Sequence, residues 1–193
     1  MFRCLFVVLL FGAVAYAHKN RCPVALGRYP FNDTKFSGEW HLIAGTPLFG
    51  TKLSRCGKYT LERVTNEEYD ISVKYTATGD DGKPLVIEGL SKAYKPERSS
   101  LALGVWRKEG SEEWNGVYKQ SVVATDYDNF AVFMACRPLF DPATKGFGRS
   151  MMAQIWGRNE TLSKEVQDTL LSFLAGFDVD SESIQIVDRS NCV

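Results

Sequence analysis

Three short stretches decide the fold of this chain: Ser37-Gly38-Glu39-Trp40, Thr125-Asp126-Tyr127-Asp128-Asn129 and Ile155-Trp156-Gly157-Arg158. The glycine of the first stretch allows a tight turn into an apolar run, because glycine has no Cβ. The second stretch is rich in turn-forming residues and joins two apolar runs. The third ends the last apolar run with an arginine. Together they mark the start, a late turn and the end of one series of strands.

Between these stretches the chain has the pattern of short strands separated by turns. Residues 69–75 alternate apolar and polar side chains, as expected of a strand with one wet face. Gly79-Asp80-Asp81-Gly82 then favours a hairpin turn. Evenly spaced short strands predict an all-β sandwich or barrel rather than a βαβ fold. The eight predicted strands are Glu39–Pro47, Lys58–Val64, Tyr69–Tyr75, Pro84–Ala93, Ser100–Arg107, Trp114–Ala124, Asn129–Cys136 and Ser150–Gly157.

One amphipathic helix is predicted after the last strand. Ser163 is a suitable N-cap, and Gly176 is a suitable end for the helix. A lone helix is unstable in water, so its apolar face should pack against the strands. The residues spaced to form that face are Val166, Leu170, Leu171, Phe173 and Leu174.

In this order and at these spacings, the three motifs resemble those of the lipocalin family. Within it, the chain is similar to the arthropod bilin-binding proteins, the crustacyanins and the apolipoprotein D-like proteins. The resemblance implies a closed, eight-stranded, antiparallel up-and-down barrel with one C-terminal helix packed outside. It also implies that Arg158 lies across Trp40, where a guanidinium is attracted to the indole face. The residues of the structural motif would be Gly38, Trp40, Thr125, Asp126, Tyr127 and Arg158.

The first 17 residues are predicted to be a secretory signal peptide. Arg3 precedes an apolar run, Leu5 to Val14, which ends in Ala15-Tyr16-Ala17, a suitable cleavage site. A membrane anchor is the alternative, but the run is shorter than the ~20 residues that a spanning helix needs. Cleavage after Ala17 would leave residues 18–193 as a single, exported lipocalin domain with no transmembrane anchor.

Four cysteines remain after residue 17: Cys22, Cys56, Cys136 and Cys192. Oxidised pairs are expected in an exported protein. Four cysteines allow three pairings, and the residues alone do not choose among them. The family resemblance implies Cys22–Cys136 and Cys56–Cys192. A cysteine metal site is disfavoured because no Cys-x-x-Cys occurs.

Two Asn-x-Thr sequons lie in polar stretches beside the ends of predicted elements. They are Asn32-Asp33-Thr34 and Asn159-Glu160-Thr161. In an exported protein both are candidate glycosylation sites.

Charge and histidine content argue against several functions. Lys and Arg number 23, as do Asp and Glu, and no basic stripe suits nucleic acid. The only histidines are His18 and His41. If Trp40 points inward, strand alternation places Leu42 and Ala44 inward and His41 outward, which disfavours haem ligation and histidine catalysis. No Gly-x-Ser-x-Gly occurs either. We therefore expect no enzyme activity, no metal and no required cofactor.

Aromatic residues on the predicted strands indicate a ligand-binding cavity, because small-molecule cavities are lined by apolar and aromatic groups. In the loop after the first strand, Leu48 and Phe49 would form either an apolar lid or ordinary loop anchors. Parity within each strand selects these cavity candidates: Leu42, Tyr59, Leu61, Tyr75, Leu103, Tyr118 and Phe133.

The sequence therefore predicts a secreted glycoprotein that carries one small hydrophobic ligand. The family resemblance implies a bilin, a carotenoid, a retinoid or a similar lipid, with a bilin or a carotenoid as the first candidate. The alternatives are a carrier of biogenic amines, an interaction or defence protein with a collapsed cavity, and an enzyme built on the same barrel. Oligomerisation is compatible with each of them.

Overall fold

The computed structural model describes residues 21–24, 27–47, 52–64, 68–79, 81–93 and 100–192. The predicted signal peptide, His18 and the loop residues Leu48 and Phe49 lie outside these ranges. The strands are β1 (Gly38–Gly45), β2 (Arg55–Arg63), β3 (Ile71–Thr78), β4 (Pro84–Ala93), β5 (Ala102–Lys108), β6 (Asn115–Thr125), β7 (Phe130–Asp141), β8 (Gly146–Gly157) and β9 (Gln185–Ile186). The helices are α1 (Asp33–Phe36), α2 (Lys164–Ala175) and a 3₁₀ turn, Ser181–Ser183.

Strands β1 to β8 close into a barrel. Each strand pairs antiparallel with its successor, and β1 pairs with both β2 and β8. Strand β9 adds to β1, where Ala44 faces Ile186. The predicted eight-stranded antiparallel barrel with a C-terminal helix is therefore confirmed.

Alternation along the strands produces two separate apolar clusters. In β7, Phe133 and Ala135 belong to the cluster inside the barrel, whereas Val132 and Met134 belong to a cluster on its outer wall. Helix α2 packs on that outer wall through Leu170 and Leu174.

Helix α2 has the predicted ends. Ser163 Oγ accepts a hydrogen bond from Val166 N at 3.4 Å, and Gly176 is the C-cap. The predicted apolar face is wider than the buried one, because Val166 and Phe173 are 37% and 41% exposed. None of the described helices qualifies as a membrane span.

A bulge in β1 changes the predicted orientation of Ala44. The register of β1 against β8 shifts between Leu42 and Ala44. Leu42 therefore stays with Trp40 in the inner cluster, while Ala44 joins the outer one. Simple alternation placed Ala44 inside and was wrong there, because a bulge moves the following residues to the other face.

Strands β7 and β8 are longer than predicted and form a projecting hairpin. Their pairing continues to Asp141 and Gly146, several residues beyond the predicted Cys136 and Ser150. We call residues 137–141 and 146–149 the arm. On the arm, the exposed rings of Phe140 and Phe147 form a cross-strand pair with centroids 5.2 Å apart.

Candidate functional site

The barrel is closed at one end by Trp40 and Arg158. The Trp40 side chain is fully buried, and the Arg158 guanidinium lies 3.8 Å from its ring centroid. Gly38 begins β1 with a φ of +97°, a conformation that favours glycine. The Trp40 indole N–H donates to Phe36 O at 2.8 Å, which ties the ring to α1.

Arg158 also connects the backbone of several segments at this end. Its side chain donates to backbone carbonyls of the turn before β7, of α1 and of the start of β1. Partial burial lowers the pKa of this guanidinium, while Asp128 opposes that shift. The accepting oxygens belong to Tyr127 (3.0 Å), Glu39 (2.7 Å), Lys35 (2.8 Å), Phe36 (3.4 Å) and Ser37 (3.2 Å).

The turn at residues 125–129 is held by the carboxylate of Asp126. Burial alone would raise the pKa of Asp126, but hydrogen bonds from Phe130, Asn129 and Asp128 lower it below its usual value. Tyr127 sits at a φ of 72°, and its hydroxyl accepts from Asn32 N at 3.1 Å. The three motifs that are far apart in sequence thus meet at one end of the barrel.

The barrel interior is filled by stacked aromatic rings. The Trp156 ring lies between Tyr59 and Phe133, at centroid distances of 4.3 and 4.8 Å. Tyr75 packs against Tyr59 at 4.6 Å. Burial raises the pKa of Tyr59 well above its ordinary value and that of Tyr75 to about 12. Both phenols are therefore neutral at physiological pH.

A buried glutamine completes this layer. Gln154 is 0% exposed, and its Oε1 accepts from the Tyr59 hydroxyl at 2.7 Å and from Trp156 Nε1 at 2.9 Å. These bonds fix the orientation of two aromatic rings. Packing around this layer leaves only a small space inside the barrel.

The interior cavity has a volume of about 50 Å³. One water molecule occupies about 30 Å³ in the liquid, and small-molecule sites usually measure ~300–1,000 Å³. The cavity is thus far smaller than a typical ligand site. Its walls include Leu61, Val73, Trp106, Gln120, Phe133 and Trp156.

A second cavity, of about 620 Å³, lies at the opposite end from Trp40. We call it the mouth. Leu85, which packs against the inner cluster, and Ser54, which hydrogen-bonds Tyr75, form its inner wall. The mouth has the volume of a small-molecule site.

Lysines 52, 83 and 108 line the mouth together with Asp81 and Glu109. Lys83 lies 3.4 Å from Asp81, whereas no described carboxylate forms an ion pair with Lys52 or Lys108. Sequence reasoning missed this set, because barrel closure alone brings these lysines together.

Most predicted cavity residues lie in the inner cluster. Leu42, Tyr59, Leu61, Tyr75 and Phe133 are buried there. Of these, Leu61 and Phe133 line the interior cavity.

Two other cavity candidates are placed differently. Tyr118 is half-buried against the inner cluster, and its hydroxyl lies 3.2 Å from Ser150 Oγ. In β5 the buried residues are Gly104 and Trp106, so alternation turns Leu103 to the other face. The strand parity assumed for β5 was therefore offset by one residue, which also left Trp106 off the list of cavity candidates.

The structure contains the disulfides Cys22–Cys136 and Cys56–Cys192. Asn32 and Asn159 are both exposed. Asn32 also caps α1, since its side-chain oxygen accepts from Lys35 N at 3.0 Å.

His41 lies in β1 on the opposite face from Trp40 and Leu42 and is half-buried. Burial lowers the pKa of this imidazole, and nearby Arg189 lowers it further. Within the described ranges, no group of His, Cys, Asp and Glu side chains is arranged to hold a metal ion.

Comparisons with known proteins agree with this geometry. Residues 37–191 match the model of the lipocalin / cytosolic fatty-acid binding protein family. Apolipoprotein D of Cavia porcellus is 27% identical over 198 residues, covering 97% of this chain and 95% of that protein.

Solved structures show the same fold at low sequence identity. Insecticyanin of the tobacco hornworm Manduca sexta superposes with a TM-score of 0.63 at 23% identity, covering 89% of this chain and 88% of that one. The amine binding protein of Rhodnius prolixus, solved as a tryptamine complex, gives a TM-score of 0.63 at 14% identity, covering 86% and 85%. The chain is therefore a member of the lipocalin / cytosolic fatty-acid binding protein family.

Proposed function

We propose that this protein is a secreted carrier that binds one small hydrophobic ligand in its barrel and is not an enzyme. The observation that carries the proposal is the closed barrel itself. Its interior is lined by apolar and aromatic side chains, and one end holds a cavity of about 620 Å³. Ligand surface that packs against apolar walls is removed from water, which is the main source of affinity at small-molecule sites.

The ligand body fits the mouth better than the interior cavity. A bilin or a carotenoid needs far more than the 50 Å³ next to Trp106. We therefore place the ligand in the mouth, in contact with Leu85. There Lys52 and Lys108, which form no ion pair with a described carboxylate, favour an acidic group on its outer end. A deeper position requires side chains of the inner cluster to rotate.

The family resemblance makes a bilin or a carotenoid our first candidate. A small amine is the second, because the likeness to the Rhodnius prolixus protein, solved with tryptamine, points to that class. An interaction or defence protein is the main alternative function. The tightly packed interior around Trp156 favours this alternative.

Titration of wild-type protein with biliverdin, astaxanthin, retinol and a fatty acid tests the carrier function. We expect one-to-one binding of at least one compound below ~10 μM, about −7 kcal/mol. Quenching of tryptophan fluorescence measures it. Leu85→Arg places a charge on the inner wall of the mouth and should weaken binding at least ~10-fold.

Leu139→Arg is the matched control for Leu85→Arg. Leu139 lies on the arm and is 38% exposed, so this variant should bind like wild type. Should none of the four compounds bind, the pigment assignment is wrong. If amines also fail to bind, the carrier function is wrong, and a role as an interaction or defence protein becomes the favoured function.

Export is the remaining part of the proposal. It rests on the predicted signal peptide, the two disulfides and the two exposed sequons. We expect protein secreted from eukaryotic cells to begin at His18 and to carry glycans on Asn32 and Asn159. Intact mass and glycopeptide mapping check both points. A protein retained in cells with residues 1–17 attached would contradict export.

A further inference from the structure

Two buried polar atoms of residues that line the interior cavity have no hydrogen-bond partner among the described residues. Trp106 Nε1 and Gln120 Oε1 both belong to residues that line this cavity. Their residues are only 2% and 6% exposed, and neither atom finds a partner among the described residues. Buried donors and acceptors are almost always satisfied in proteins, so this pair requires an explanation.

Both side chains pack closely against a glycine. A Cβ added at Gly89 would lie 2.6 Å from Cε3 of the Trp106 ring. A Cβ added at Gly104 would collide with the amide group of Gln120. The barrel wall therefore leaves space for these two polar side chains in their observed orientation.

The two atoms define which group they can bind. The indole N–H of Trp106 needs an acceptor, and Oε1 of Gln120 needs a donor. A hydroxyl group can both accept and donate a hydrogen bond, so it matches either atom. A carboxylate only accepts and an ammonium only donates, so each leaves one member of the pair unsatisfied.

The uncharged lining also favours a hydroxyl group over an ionised group. None of the described residues that line the interior cavity is charged, and the neighbouring walls include Phe133 and Trp156. An ionised group would lose its hydration there without gaining a counter-ion, which is strongly unfavourable. A volume of about 50 Å³ accommodates the hydroxyl end of a molecule but not its whole body.

We propose that Trp106 and Gln120 form a subsite for the hydroxyl group of a neutral, otherwise apolar ligand, an alcohol or a phenol. This inference rests on the proposed carrier function and names the class of ligand that reaches the deepest part of the barrel. The ligand body extends from the subsite along the apolar walls, where side chains of the inner cluster move to admit it. The subsite selects alcohols over amines and acids with the same body.

The test uses four compounds that share one apolar body: naphthylethanol, naphthylethylamine, naphthylacetic acid and ethylnaphthalene, all substituted at the same ring position. Isothermal titration calorimetry measures each dissociation constant with the wild-type protein. We expect the alcohol to bind at least ~10-fold more tightly than the other three, because a site built for a hydroxyl rejects analogues that cannot complete its hydrogen bonds.

Two variants test whether Trp106 and Gln120 cause the preference for the alcohol. Gln120→Leu removes the acceptor and Trp106→Phe removes the donor. Each should reduce the preference for the alcohol over ethylnaphthalene to less than ~3-fold, without weakening the binding of ethylnaphthalene. Gln167→Leu, on α2 outside the barrel, is the control and should keep the wild-type preference. If Trp106→Phe does not fold, Gln120→Leu carries the test alone.

Equal binding of all four compounds would show that the pair does not select a hydroxyl group, and would overturn the inference while the carrier function stands. Tighter binding of the amine or the acid would overturn it as well. If the four compounds fail to bind but biliverdin or the fatty acid binds, the subsite is wrong and the carrier function survives. If nothing binds in either series, the carrier function itself fails.

Discussion

Replacing Trp40 with alanine is expected to lower the free energy of unfolding by ~3–5 kcal/mol, the usual loss for truncating a large core aromatic. The indole is fully buried, and it contacts Phe36 at a ring distance of 5.1 Å and Arg158 at 3.8 Å. The variant loses both contacts and the hydrogen bond to α1. Thermal and urea unfolding measure the loss.

Trp114→Ala is the matched control, because Trp114 also packs against an arginine. The Arg107 guanidinium lies 4.4 Å from its ring centroid, but Trp114 is 36% exposed. We expect a loss of less than ~1 kcal/mol at such a site. Arg158→Ala should fall between the two tryptophan variants at about 2–3 kcal/mol, since it leaves backbone carbonyls without a donor. Wild-type stability of Trp40→Ala would disprove its role in closing the barrel.

Removing either disulfide is the second change with a large expected effect. The cysteines of the two bonds are 114 and 136 residues apart in sequence. The chain-entropy model gives about 5 kcal/mol for loops of this length, and measured losses are usually ~2–5 kcal/mol. Double serine variants, Cys22→Ser with Cys136→Ser and Cys56→Ser with Cys192→Ser, should each unfold at markedly lower urea concentration.

The two double variants should differ in which segment opens locally. Cys192 ends the segment that holds β9 against β1, where Val187 N donates to Ile43 O at 2.9 Å. Loss of Cys56–Cys192 should therefore speed hydrogen exchange in residues 185–192, while loss of Cys22–Cys136 should leave that segment protected. The same exchange pattern in both variants would contradict this assignment.

The fold was predictable because its signals are local. Alternation in β3 and the turn residues before β7 depend on near neighbours in sequence, and so does the capping serine of α2. The resemblance of the motif around Trp40 to the family motif predicted that the strands close into a barrel. Strand number and direction therefore followed from the sequence and the family resemblance.

The details of the site were harder to predict because they depend on register. A single bulge moved Ala44 to the outer wall, and an offset of one residue in β5 exchanged Leu103 for Trp106. Strand parity cannot be read from a run such as 102–106, in which apolar residues occupy both faces. The lysines of the mouth were missed for another reason, because tertiary closure alone makes Lys52 and Lys108 neighbours.

The arm has a consequence for how copies of this protein meet. In a closed barrel every strand is hydrogen-bonded to a strand on each side, so its backbone N–H and C=O groups are not free to pair with another molecule. The described pairing of β6 with β7 stops at Cys136, and that of β1 with β8 stops at Gln154, so both sides of the arm leave the barrel wall. On the β7 side, Pro138 cannot donate a backbone hydrogen bond, because proline lacks an N–H. The arm is therefore one place where edge-to-edge association, whether in an oligomer or in an aggregate, would start, beside the exposed rings of Phe140 and Phe147.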